Sequence, residues 1–140
     1  MATQLTSIKQ EFRTVWISDI HLGYKDCKAE YLLDFLKLTK IDTLYLVGDI
    51  VDMWALSKRF LWPKSHNDLF HYLWDLSESG TRVIYLPGNH DEPCQKYDGM
   101  SFGEVEVRRE YVHTTADGKK LLLLHGDVFD NDVCLGPLTA

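Results

Sequence analysis

The sequence predicts an α/β fold in which a helix-covered parallel sheet is followed by antiparallel strands, and three observations predict it. Short apolar runs, Val15-Trp16-Ile17, Leu44-Tyr45-Leu46-Val47 and Val83-Ile84-Tyr85-Leu86, alternate with two longer stretches of helical periodicity. Each run then passes, through a small residue or a Pro-Gly, into carboxylates, imidazoles or an amide. A fourth run, Leu121-Leu122-Leu123-Leu124, follows an Asp-Gly turn signal and ends in His125. In open α/β sheets the crevice beyond the carboxyl ends of the strands is where ligands bind.

The elements follow in order. Residues 13–18 are the first strand, and 1–12 read as a lead-in outside the sheet. Tyr31, Leu32, Phe35, Leu36 and Leu38 recur at helical spacing and predict a helix over 28–39 that covers one sheet face. A strand over 43–47 completes a β-α-β unit, so the strands should be parallel and the crossover right-handed. Residues 53–64 show no regular pattern, and carry Trp54, Phe60, Leu61 and Trp62 beside Lys58 and Arg59. Ser65 is placed to cap a second helix, with Asp68 three residues on. Leu69, Phe70, Leu73, Trp74 and Leu76 form its apolar face, and Gly80 ends it. A third strand covers 82–86, and an irregular loop covers 92–103. Val105 and Val107 alternate with charged residues, which predicts a half-exposed strand. Residues 111–115 and 119–124 flank Ala116-Asp117-Gly118 as a hairpin. The second part should therefore be antiparallel, stacked on the first sheet or extending it. No repeat or linker interrupts the chain, so 1–140 is expected to be a single domain.

The net charge of -6 speaks against nonspecific nucleic-acid binding, which relies on basic surface. It is compatible with a phosphate substrate, because bound cations reverse the local field. Cys27, Cys94 and Cys134 are widely spaced and odd in number, which predicts reduced thiols and a cytoplasmic location. No apolar run is long enough to span a bilayer, and the first residues lack the core of a signal peptide.

The chemistry sits at the strand ends. Asp19-x-His21 alone reads as an ordinary turn, and Gly48-Asp49-x-x-Asp52 as a helix cap. Gly88-Asn89-His90-Asp91 reads as a β-turn, although a turn has no need of a central histidine. The combination is more specific: Asp19, His21, Asp49, Asn89 and His125 recur at four strand ends of one expected sheet. Mixed oxygen and imidazole donors suit Mn²⁺, Fe or Zn²⁺ better than Ca²⁺ or Mg²⁺. With Asp49 shared, the set suggests two divalent metal ions about 3.5–4 Å apart, the arrangement that clamps a phosphoryl group and activates water near neutral pH.

In that order, Asp19-x-His21, Gly48-Asp49-Ile50-Val51-Asp52, Gly88-Asn89-His90-Asp91 and His125-Gly126-Asp127 resemble the calcineurin-like metallophosphoesterase superfamily. The wording of Ile17 to Gly23, Tyr45 to Asp52, His125 to Asp130 and Trp62-Pro63-Lys64-Ser65-His66-Asn67-Asp68 is similar to the UDP-2,3-diacylglucosamine diphosphatase branch. The resemblance implies a metallophosphoesterase-like β-sandwich flanked by helices. It implies Asp19 and His21 on one metal, Asn89 and His125 on a second, and Asp49 between them. It implies His90 beside the reacting phosphate and Asp52 orienting His90. Asp91 and Asp127 would serve the turns or support the ligands. The implied reaction is hydrolysis of the pyrophosphate of a nucleotide-lipid substrate to UMP and a lipid monosaccharide phosphate in lipid A synthesis. The implied place is cytoplasmic, with a peripheral contact at the inner membrane. Other phosphoesterases of the superfamily, a nuclease or a phosphoprotein phosphatase, are the alternative, as is a metal-poor scaffold that binds a protein.

The superfamily pattern continues into a Gly-His-x-His motif, yet the six histidines are His21, His66, His71, His90, His113 and His125. The expectation is therefore a partial chain of a longer enzyme, with weak metal binding and little activity by itself. His66 and His71, five apart on the second helix, should be surface or satisfied positions. His113 should pack or face solvent. Trp54, Phe60 and Trp62 divide between core and a loop that meets acyl chains or a membrane, with Lys58 and Arg59 facing phosphates or anionic lipid. Cys27 and Cys94 read as spectators, and Asp130 and Asp132 as solvated.

Overall fold

The computed structural model describes residues 9–126. Asp127, Asp130, Asp132 and Cys134 lie outside the described residues. The chain forms β1 (Gln10–Ile17), α1 (Ala29–Lys37), β2 (Thr39–Val47), α2 (Met53–Lys58), α3 (Lys64–Glu78) and β3 (Arg82–Leu86). A 3-10 helix (Glu92–Tyr97), β4 (Ser101–Phe102), β5 (Val105–Val107), β6 (Glu110–Thr114) and β7 (Lys120–Leu124) follow. One sheet has five strands in the order β1-β2-β3-β5-β4, and a second has two, β6-β7.

Both faces of β2 and β3 are covered, which is why their sequences are unbroken apolar runs. Side chains alternate along a strand. Leu44, Leu46, Val83 and Tyr85 join the cluster that includes Leu36, Leu69 and Leu73 of α1 and α3. Tyr45, Ile84 and Leu86 meet Tyr111 and Leu123 of the β6–β7 hairpin instead. The hairpin is thus stacked on the parallel sheet, as one of the two expected arrangements has it.

Several expectations are corrected. β1 begins at Gln10, which pairs with Thr39, so part of the lead-in is strand and β2 starts four residues earlier than the expected 43–47. α1 ends at Lys37 because the chain turns directly into β2: the Leu38 N–H bonds to Asp34 and Phe35, and its carbonyl accepts from Gln10. Tyr31 and Leu38 consequently face solvent, while Leu32, Leu33 and Leu36 pack inward. Residues 53–58 are helical because the Asp52 carboxylate accepts from the Ala55 N–H and caps them. Ser65 is not a cap. Pro63, held extended, takes that place, and Asp68 pairs with Lys64 at 2.7 Å. Gly80 does close α3: its φ of +112° lets the Thr81 N–H reach the Leu76 carbonyl.

The region 92–103 is not irregular, since it holds the 3-10 helix and β4. β5 runs parallel to β3 rather than antiparallel to it, and Val105 and Val107 are both buried. Glu106 between them lies within ion-pair distance of Arg82 and Arg108. Finally, β7 belongs to the second sheet, so the four strand ends do not share one sheet.

Candidate metal centre

The loops after β1 and β2 lie side by side. The Asp19 N–H bonds to the Gly48 carbonyl, His21 N–H to Asp49, and Leu22 N–H to Ile50. Three side-chain-bearing residues in these loops have positive φ: Asp19 at +57°, His21 at +57° and Asp49 at +53°. Such a backbone is uncommon outside glycine, though Asp, Asn and His tolerate it best. Residues kept in it mark functional sites, where the surroundings over-determine the geometry. All three are among the ligand residues expected from the sequence.

Asp91 supplies much of that over-determination. It is fully buried and accepts from the backbone N–H of Asp49 at 3.1 Å and Ile50 at 2.9 Å. It also accepts from the Gly88 N–H and the Tyr85 hydroxyl. Burial pushes its carboxyl above the usual carboxylate range even though these donors oppose the shift, and burial raises the Tyr85 phenol as well. Asp91 therefore ties the β2 loop to the β3 loop, the supporting role expected of it.

Asp49 is at the centre. Its Oδ1 accepts from the His90 N–H at 2.8 Å. His21 Nε2 lies 4.0 Å and His125 Nε2 3.4 Å from its Oδ2. His125 Nε2 is also 3.5 Å from Asp19 Oδ1. The end of the Asn89 amide is 3.2 Å from Oδ1 and 3.3 Å from Oδ2. With nitrogen there, the amide donates to the carboxylate; with oxygen there, three acceptors face one another and a cation reconciles them. Two donors that share one cation at about 2.0–2.2 Å each are separated by up to about 4 Å. These separations fit that arrangement. The other four residues expected as ligands are thus gathered around the Asp49 carboxylate. His125 stands as near to Asp19 as to Asp49, although the resemblance assigns Asp19 and His125 to different metals.

Glycines make the room. A Cβ at Gly48, whose φ is +74°, would lie 2.0 Å from the His125 ring. A Cβ at Gly88 would lie 2.7 Å from both Asp49 Oδ1 and His125 Nδ1. Read as part of a helix cap and of a β-turn, neither glycine announces from the sequence that it clears space for the His125 ring. The Pro-Gly before Asn89 was the available signal.

Asp52 holds two histidines. Its Oδ1 accepts from His90 Nδ1 at 3.0 Å, as expected, and its Oδ2 is 2.9 Å from His21 Nδ1, which was not expected. Burial opposes ionisation of Asp52, but the Ala55 N–H and the two imidazoles outweigh it and hold the carboxyl below its usual range. His21, Asp52 and His90 are close enough to form a metal group of their own. Hydrogen-bond separations account for all three, so the group of Asp19, His21 and Asp49 is the better metal candidate. Trp54 lies against His90, ring centroids 4.1 Å apart, and is half exposed.

The remaining histidines follow the plain readings. His66 is buried and accepts from the Gly23 N–H at 3.0 Å; burial lowers its pKa. His113 bonds to the Tyr45 hydroxyl at 2.8 Å and packs edge-on to Trp16. His71 is exposed. Trp62 packs against the core, with its indole N–H on Asn67, while Phe60 is exposed.

The family model for calcineurin-like phosphoesterases matches residues 12–138, and that span holds every residue described at the site. This chain belongs to the calcineurin-like phosphoesterase family. The layered α/β architecture is consistent with that family's fold, and membership implies divalent metal ions. The UDP-2,3-diacylglucosamine hydrolase of Blochmanniella pennsylvanica (strain BPEN) is 27% identical over 120 residues, covering 81% of this chain and 46% of that protein. The protein of the same name from Azotobacter vinelandii (strain DJ / ATCC BAA-1303) is 30% identical over 120 residues, covering 81% and 47%. The chain spans about half the length of the curated relatives it matches. The crystal structure of Pseudomonas putida nuclease MPE aligns with a TM-score of 0.42 at 16% identity, over 68% of this chain and 46% of that one. No helix among the described residues is long and apolar enough to cross a membrane.

Proposed function

We propose that the protein is a phosphoesterase using two divalent metal ions, Mn²⁺ foremost, to hydrolyse the pyrophosphate of UDP-2,3-diacylglucosamine to UMP and the lipid monosaccharide phosphate. The observation that carries this reading is the convergence of Asp19, His21, Asn89 and His125 on Asp49. The relatives' printed name supplies the substrate. In this reading Asp19 and His21 would hold one ion, Asn89 and His125 the other, and Asp49 would be shared between them. The metals, when bound, polarise the phosphoryl oxygens and lower the pKa of water. The chain's own residues do the rest. Asp52 fixes His21 by Nδ1, which turns Nε2 toward Asp49. Asp52 fixes His90 in the same way, and the imidazolium form of His90, with both ring nitrogens protonated, would donate Nε2–H to an oxygen of the reacting phosphate. The protein would work in the cytoplasm, at the membrane face where such a lipid is presented.

The test is release of UMP from UDP-2,3-diacylglucosamine by the full-length Mn²⁺-loaded protein, with metal content read by elemental analysis. The wild type is expected to release UMP and hold about two metals per chain. Asp49→Ala is expected to lose the metals and all measurable turnover. Wild-type turnover in that variant refutes the shared ligand, and a metal-loaded wild type that releases no UMP refutes the substrate.

A further inference from the structure

We propose that the cleft between the loop after β1 and helix α2 is a nucleotide subsite, seating the nucleoside-phosphate half of a pyrophosphate substrate beside the reacting phosphorus. The inference rests on the phosphoesterase reading for its substrate and on the cleft for everything else. The cleft has a volume of about 320 Å³ and opens on His90 and Asp52.

Its charge is opposite to that of the chain. Lys25, Lys58 and Arg59 line it, although the protein carries a net charge of -6. None of the three takes part in an ion pair among the described residues. Among the described residues the only carboxylate in the lining is Asp52, and both of its oxygens are already engaged, by His90 and Ala55 on Oδ1 and by His21 on Oδ2. Among the described residues the cations thus have no internal counter-charge at the mouth of the phosphoryl site. The chemistry that satisfies them is a second anionic group on the substrate.

Its other wall is aromatic. Trp54 is 46% exposed while packed on His90, and Tyr24 is 42% exposed. Cations next to exposed rings suit a ligand that is phosphate at one end and a planar ring at the other, because bases stack on aromatic faces regardless of sequence. A nucleotide has that form. An acyl chain does not, since three cations would border it. The size agrees, at the lower end of small-molecule sites. Asp52 sets where this wall stands, because the carboxylate that orients His90 also caps α2, the helix that carries Trp54 and Lys58.

The probes are UMP, uridine and inorganic phosphate, titrated calorimetrically into the full-length Mn²⁺-loaded protein. UMP is expected to bind at least roughly tenfold tighter than inorganic phosphate. The double variant Lys58→Ala/Arg59→Ala is expected to weaken UMP by roughly tenfold or more, and Trp54→Leu to weaken UMP but not phosphate. Lys64→Ala, whose ammonium is paired with Asp68 outside the cleft, is the control. In turnover, the double variant should raise KM for UDP-2,3-diacylglucosamine far more than for bis(4-nitrophenyl) phosphate, which has no second phosphate. Equal effects on both substrates, or UMP binding no tighter than phosphate, overturn the subsite. Turnover of both substrates with equal effects leaves the phosphoesterase reading standing without the subsite. Binding of UMP through these residues with no turnover of either substrate leaves the subsite standing without that reading.

Discussion

The ends of β1 and β2 are stitched to each other, whereas the β6–β7 hairpin leans on them. Along the first pair, successive N–H groups of Asp19, His21 and Leu22 bond across to Gly48, Asp49 and Ile50, and the Asp52 N–H returns to Leu22. Asp91, from the loop after β3, adds a carboxylate that accepts from the Asp49, Ile50 and Gly88 N–H groups. The hairpin makes apolar contacts with the sheet through Tyr111 and Leu123, and one hydrogen bond between His113 and Tyr45. Val112, Leu121 and Leu122 of the hairpin are exposed. The difference teaches how one site can combine rigidity with tolerance. Left-handed conformations at Asp19, His21 and Asp49 cost about 1–3 kcal/mol each and need redundant bonding to persist. His125 follows a strand held by side-chain packing, so changes in the second layer reach the site through it.

The largest effect is expected from breaking the stitching. Asp91→Ala leaves buried N–H groups at Gly88, Asp49 and Ile50 and the Tyr85 hydroxyl without their acceptor. Denaturant unfolding should show a loss of about 3–5 kcal/mol, together with loss of metal binding. A variant as stable as the wild type would mean that the loops hold their shape without Asp91.

A smaller change at the junction of the two regions sharpens the comparison. Gly48→Ala adds about 1–2 kcal/mol of backbone strain and a Cβ that collides with the His125 ring. Gly80→Ala meets a similarly positive φ, +112°, with nothing within 4 Å. Gly48→Ala should therefore lose more stability than Gly80→Ala, and only Gly48→Ala should lower the metal held per chain. Equal metal content would show that His125 shifts aside without consequence.

The smallest effect concerns the hairpin itself. Leu123→Ala removes a half-buried anchor and should cost about 1–2 kcal/mol. Amide hydrogen exchange should accelerate in β6 and β7 and stay unchanged in β1 to β3. Acceleration in both sheets would mean that they unfold as one unit and that the hairpin is bound as tightly as the strand ends.

Much of this was legible in the sequence, for identifiable reasons. Runs such as Leu44 to Val47 announce buried strands because both faces are covered, and the polar residues that follow them stand out. Asp19, His21, Asp49, Asn89, His90 and His125 were all readable in this way. The direction of β5 was not. Val-Glu-Val alternates in either orientation, and β5 is reached from β3 through a 3-10 helix and a short antiparallel strand rather than a crossover helix. Nor was the start of α3, where a proline with extended backbone outcompeted a serine side chain. The second histidine on Asp52 was invisible because it comes from a loop 31 residues away in sequence, and nothing local encodes it.

Asp52 has a consequence for how such a site can be altered. One carboxylate serves as hinge pin for a candidate ligand, a candidate proton donor and the helix that walls the neighbouring cleft. The three cannot be retuned one at a time through it. A replacement there would couple metal affinity, proton delivery and substrate preference in a single step. Variation in substrate is therefore easier to accommodate farther along α2, at Trp54, Lys58 and Arg59, where a change leaves the pin in place.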